Sequence, residues 1–179
     1  MDFERDEGKT LACCATLQSD VAIEADIEDD PDARIIPVKD FETTVSRIEA
    51  LTPTIKGIWL KLDHIIDFQA GQYVQLHLPG IEGGRPFSIA NAPEDIKKTG
   101  ELELNVRIIP GGLGTDYLHN TLRVGDKMRI SGPYGRFFVR TSLNAPMIFM
   151  AGGSGLSSPR SMILDLLANG RRRSRGRAG

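Results

Sequence analysis

Arg85-Pro86-Phe87-Ser88 places a guanidinium, an aromatic ring and a hydroxyl within four consecutive positions of a stretch, RPFSIANAP, that otherwise reads as strand. An arginine beside a strand is ordinarily a solvated edge residue. A second segment, IIPGGLGTDYL (Ile108 to Leu118), changes that reading: a strand ends in Gly111 and Gly112, and Thr115 follows at the head of a short helical stretch. Backbone N–H groups left free at such a turn bind phosphate, and a guanidinium beside them suits a pyrophosphate. Phe87 adds a ring face and Ser88 a small donor or acceptor. The set suits a flat, polar heteroaromatic ligand that carries phosphates.

A second glycine loop, AGGSGLSSP, follows the apolar run APMIFM and contains Gly152, Gly153, Ser154 and Gly155. Taken alone it is weak evidence, since a tight turn uses the same residues. Downstream, LSSPRSMILDLLANG reads as a helix with Met162, Ile163, Leu166 and Leu167 on one face. Ser157 or Ser158 can cap it, Pro159 fits its first turn, and Gly170 suits its stop. Strand, glycine loop and helix together are the opening of an α/β nucleotide-binding unit. Such a unit needs further strands, and without them the run Met147 to Ala151 presents an unpaired apolar edge.

The elements that must position these groups are strands. GIWLKL alternates through Ile58, Leu60 and Leu62; QYVQLHLPG through Val74, Leu76 and Leu78. ELELNVRII does so through Leu102, Leu104, Val106 and Ile108, and DKMRISGP adds Met128 and Ile130. Period-two alternation between Gly/Pro turns predicts an antiparallel barrel or sandwich. TDYLHNTL breaks the rhythm as a short helix, and Trp59, between Ile58 and Leu60, is expected to cover the outer face of the sheet or to pack under the preceding linker. His64, His77 and His119 show no metal-ligand spacing and read as ordinary surface or strand residues.

With 179 residues, 40% of them hydrophobic and 26% charged, the composition is that of a globular chain. No apolar run reaches the roughly 18 residues of a membrane helix, and the charged start MDFERDEGKT is unlike a secretory leader. A cytoplasmic location is the default expectation. The net charge of −2 includes five arginines in the tail RRRSRGRAG, so the remaining body is acidic, which argues against a nucleic-acid module. The rival reading is a non-catalytic binding barrel whose arginine tail grips nucleic acid; it predicts a colourless protein.

In order along the chain, GQYVQLHLPG, RPFSIANAP, PGGLGTDYL, GDKMRISGPYGRFF and MIFMAGGSGLSSP resemble the ferredoxin-reductase-type flavoprotein reductases. Within that family they are most like the reductase components of phenol hydroxylase and related multicomponent monooxygenases. The resemblance implies a six-stranded antiparallel Greek-key flavin-binding barrel, followed by the first βα unit of a truncated α/β NAD-binding domain. It implies a flavin-dependent reductase that passes electrons from NADH through FAD towards an oxygenase or hydroxylase component. By position, Arg85 and Pro86 would sit at a flavin phosphate. Phe87 would lie against the isoalloxazine where the family usually has tyrosine, and Ser88 would be the catalytic-site hydroxyl near flavin N5. Gly111, Gly112 and Thr115 would hold the pyrophosphate, and Gly152, Gly153, Ser154 and Gly155 would face NADH. Complete members also carry a 2Fe-2S cluster, which needs four thiolates. Cys13, in LACCATLQSD, matches the last of these ligands, so cluster assembly in this chain is expected to fail. The implied organisation is a ferredoxin-domain remnant over 1–25, an acidic linker over 26–40 and the FAD-binding barrel over 41–142. The start of the NAD-binding domain over 143–170 and an unstructured arginine-rich tail over 171–179 complete it.

Overall fold

A computed structural model describes residues 16, 18–22, 30–143 and 145–175. The chain divides into two compact units, Met1–Asp30 and Pro31–Gly179. Within the first, the described residues form no helix or strand, and Cys13 lies outside them.

The second unit is the expected barrel. Its strands are β1 (Lys39–Thr52), β2 (Ile55–Leu62), β3 (Tyr73–His77), β4 (Gly84–Ser88), β5 (Glu101–Arg107) and β6 (Lys127–Tyr134). They form one six-stranded antiparallel sheet in the order β4-β3-β6-β1-β2-β5, so β6 returns to lie between β1 and β3 in a Greek key. Most of the residues that alternate in the sequence are inside: Ile58, Leu60, Val74, Leu76, Leu102, Leu104, Val106, Met128 and Ile130 all belong to one buried core, whereas Ile108 lies past the end of β5 and outside it. A one-residue slip of any strand would turn that set to water, which is why the alternation fixes register. Trp59 lies on the opposite face of β2, buried under the Arg47 guanidinium 3.6 Å from its ring centroid.

The two edge strands, β4 and β5, meet at one isolated bridge, Ile89 to Leu104. Ala90 N donates to Glu103 O at 2.9 Å, and the Asn91 side chain extends the closure, donating to Glu101 O and accepting from Glu103 N. Below the bridge β4 and β5 form no paired residues, and the barrel seam stands open there.

Helix α1 (Pro93–Thr99), which the sequence reading did not mark, carries proline in its first turn. Its Asp95 carboxylate accepts from Ala92 N, and it ends on Gly100 in the left-handed region at φ 69°. The expected short helix is α2 (Leu113–Asp116), continued by a π turn over Tyr117–Thr121. His119 on that turn is buried and bonds Val106 O at 2.9 Å, so it is a core pin rather than a surface residue. His64 stacks on Phe41 and His77 bonds Ser131; among the described residues no group of three or more His, Cys, Asp or Glu could hold a metal.

The C-terminal part differs from expectation in three ways. Met147 to Ala151 forms no strand, none of the six described strands pairs with it, and Ile148 and Met150 are each 87% exposed. Helix α3 (Ser157–Arg175) runs past Gly170, so that glycine is no stop; one interior glycine costs only about 1 kcal/mol, and the arginines that follow are good helix formers. The serines do not cap it. Ser157 Oγ donates back to Ser154 O, and Ser158 Oγ donates to Gly71 O on the barrel at 3.1 Å. Ser161 Oγ also reaches the barrel, donating to Asn91 O, and Arg160 bonds both Ala90 O and Glu103. The first turns of α3 thus pack on the barrel within the same compact unit, whereas Ile148 and Met150 in the run before them stay exposed. Among the described residues no helix is long and apolar enough to cross a membrane.

Candidate functional site

The open seam is a cleft of about 620 Å³. One wall is Pro86, Phe87 and Ser88 of β4, and the other is Asn105 and Arg107 of β5 with Ile108 to Pro110 beyond it. Thr115 closes one end, and Ser154, Gly155 and Ser157 overhang it from the start of α3. Two motifs almost 70 positions apart in the chain therefore share one hollow.

Phe87 pairs with Val74 in the β3–β4 register and shares its face of the sheet. Its ring is half-buried: it packs against the core and also lines the cleft, so it is a fixed wall more than a free platform. Ser88 pairs with Tyr73 and faces the other way along the alternation. Arg85 is exposed just outside the cleft, its guanidinium donating to the carbonyls of Glu82 and Gly84 in its own turn. Its stem lies against α2: a Cβ built on Gly114 would sit 3.6 Å from Arg85 Cγ.

Ile109-Pro110-Gly111-Gly112 is a type II turn. Pro110 supplies the fixed φ, Gly111 takes φ 75°, and Gly112 N donates to Ile109 O at 2.9 Å. The Gly112 amide is thereby used within the turn, so its contribution is conformational. Thr115 Oγ1 accepts from Ile109 N at 3.1 Å and donates to Gly112 O at 3.1 Å. It holds the turn shut, so Thr115 also shapes the loop. Gly152 and Gly153 do not line the cleft, although Gly153 takes φ 56° where the chain turns to bring Ser154 and Gly155 over it.

Asn105 and Arg107 were missed in the sequence. They were readable only as the outward half of ELELNVR, whose inward half identified the strand. Asn105 is the more informative. Its Oδ1 is buried without a hydrogen-bond partner. An orphaned acceptor of this kind costs about 1–3 kcal/mol, and native folds rarely leave one unanswered. A ligand with an N–H or O–H on its edge would answer it, which fits a flavin ring in the cleft.

A larger hollow of about 750 Å³ lies between Asp32 to Arg34, the 67–70 turn, α1 and α3. None of the sequence-predicted site residues lines it. On its α3 wall, burial pushes the Asp165 carboxyl above its ordinary value, against a hydrogen bond from Asn169.

A family model described as an oxidoreductase FAD-binding domain matches residues 42–139. Among curated proteins the chain is similar to the phenol 2-monooxygenase reductase component DmpP of Pseudomonas sp. (strain CF600), 56% identical over 170 residues, covering 95% of this chain and 47% of that protein. It is 34% identical over 177 residues to a propane 2-monooxygenase reductase component of Rhodococcus jostii (strain RHA1), covering 96% and 46%. Among solved structures it is similar to the Amycolatopsis cytochrome P450 reductase GcoB, with TM-score 0.69, 32% identity, and coverage of 79% of this chain and 42% of that one. The ferredoxin reductase in carbazole 1,9a-dioxygenase gives TM-score 0.68 at 28% identity, covering 86% and 46%. The chain spans about half the length of the curated relatives it matches.

Proposed function

The chain belongs to the oxidoreductase FAD-binding domain family, and from that premise we propose that its barrel seam holds FAD for an NADH-dependent reductase of a multicomponent aromatic monooxygenase. The observation that supports this most is the cleft itself, where the β4 motif, the Thr115 turn and the Ser154–Gly155 loop converge. Bound FAD would supply hydride acceptance and one-electron release. The chain's own residues bind and orient. Phe87 and Pro86 fix one wall, Ser88 offers a hydroxyl to the ring edge, and Arg85 stands ready to exchange its own-loop carbonyls for phosphate. The Pro110–Gly112 turn, held by Thr115, shapes the end where a pyrophosphate would lie, and Ser154 and Gly155 cover the cleft from the side where a nicotinamide would approach.

On this reading the electron acceptor is an oxygenase or hydroxylase component. On the same reading a 2Fe-2S cluster belongs to complete members of the family, and Cys13 would be one of its ligands. The division into ferredoxin remnant, linker, barrel and NAD-domain start belongs to the same reading, as does a cytoplasmic site, where NADH is regenerated.

Titrating FAD with the purified chain and following flavin fluorescence tests the proposal. Quenching is expected, with Arg85→Ala weakening it roughly ten- to hundred-fold, as loss of a charge-assisted phosphate contact does. Absence of quenching, or equal affinity in the variant, would refute it. A yellow protein on purification separates this reading from the nucleic-acid-binding barrel.

A further inference from the structure

The outward positions of β5 run Glu103, Asn105, Arg107 beneath the Gly153–Leu156 turn and the start of α3. Glu103 is matched by Arg160 at 2.8 Å. Asn105, one step further along the same face, has a buried amide oxygen with no partner. It is also a wall residue of the cleft. The antiparallel bridge from Ile89 to Leu104 sets the register at the seam. One step into the opening, that register puts Ser88 across from Asn105. The two residues therefore face each other over the gap where the strands part, and both line it.

The second buried orphan, Gln75 Oε1, makes a useful contrast. It is tucked against Gly84, where a built Cβ would come within 2.9 Å of it, and Gln75 is not among the cleft residues. Among the described residues Asn105 alone combines a buried unanswered acceptor with a place in the cleft. Its terminal amide torsion is soft, so the oxygen can turn to a ligand edge without moving the strand.

We propose that Asn105 is a flavin-binding residue whose amide oxygen accepts a hydrogen bond from a ring N–H of the isoalloxazine, on the opposite side of the seam from Ser88. The assignment rests on FAD being the occupant of the cleft. It carries a signature of opposite signs. Replacing Asn105 with leucine removes the orphan while keeping most of the volume, so the ligand-free chain becomes as stable as wild type or more so. The same change deletes the acceptor, so FAD binds more weakly.

The experiment uses the 179-residue chain and its Asn105→Leu variant. Urea denaturation without FAD gives the stability, and flavin fluorescence titration gives the affinity. The expected result is an unchanged or raised urea midpoint together with a roughly five- to thirty-fold higher Kd for FAD. A lowered midpoint or an unfolded variant would make Asn105 a structural residue and overturn the assignment. So would a variant that binds FAD as wild type does. Wild-type chain that fails to bind FAD would remove the occupant itself, an outcome distinct from wild-type binding with an indifferent variant, which removes only the role of Asn105.

Discussion

Arg160→Ala should unlatch α3 from the barrel, and the size of the effect follows from what the guanidinium touches. Its Nη1 donates to Ala90 O at 2.6 Å and to Glu103 Oε2 at 2.8 Å. The pair is asymmetric, with the arginine side chain 39% exposed and the Glu103 side chain 7% exposed. Truncation therefore leaves a carboxylate that water reaches poorly. Breaking a fully buried pair costs about 3–5 kcal/mol; the half-open arginine side lets water fill the gap, which brings the expected loss to about 2 kcal/mol. For a compact unit of this size that lowers the melting temperature by about 4–8 °C. Glu103→Gln supplies the control, since with the charge gone the arginine is no longer needed to balance it. In a double-mutant cycle followed by urea denaturation, the double variant should recover about 1–2 kcal/mol of the sum of the singles. Strict additivity, or a melting temperature for Arg160→Ala within about 1 °C of wild type, would refute the argument that the ion pair holds the helix.

Gly71→Ala should cost upwards of about 3 kcal/mol in urea denaturation: Gly71 takes φ 104°, and an added Cβ would sit 2.1 Å from Phe137 O and 2.2 Å from Met162 Cε on α3. A loss below about 1 kcal/mol would show that this contact yields cheaply. Asp165→Asn tests the raised carboxyl beside the larger hollow. Because the folded state holds that proton more tightly than the unfolded chain, stability falls as pH rises from the ordinary carboxylate range through the raised value. The variant should therefore be more stable than wild type at neutral pH, with the difference gone at about pH 3, where both states are protonated. Urea melts at the two pH values measure it, and an equal difference at both would rule the titration out as the cause.

The barrel was legible in the chain because its signal is local. Four of the six strands, β2, β3, β5 and β6, declare their inward face by alternation, and the turns between strands use glycine and proline for conformations other residues resist; the long β1 is not delimited in the sequence. Arg85 to Ser88, the Gly111–Thr115 turn and the Ser154–Gly155 loop could likewise be picked out by residue type and order. Their convergence could not, because it depends on β4 and β5 being the two edges that close the sheet and on the closure ending at Ile89 and Leu104. Nor does residue type tell whether a polar side chain is solvated or orphaned. Glu103, Asn105 and Arg107 look alike along the strand, and only the helix folded back over them gives the first a partner, leaves the second without one and keeps the third in water. Long-range docking sets those differences, since each depends on groups contributed from elsewhere in the fold.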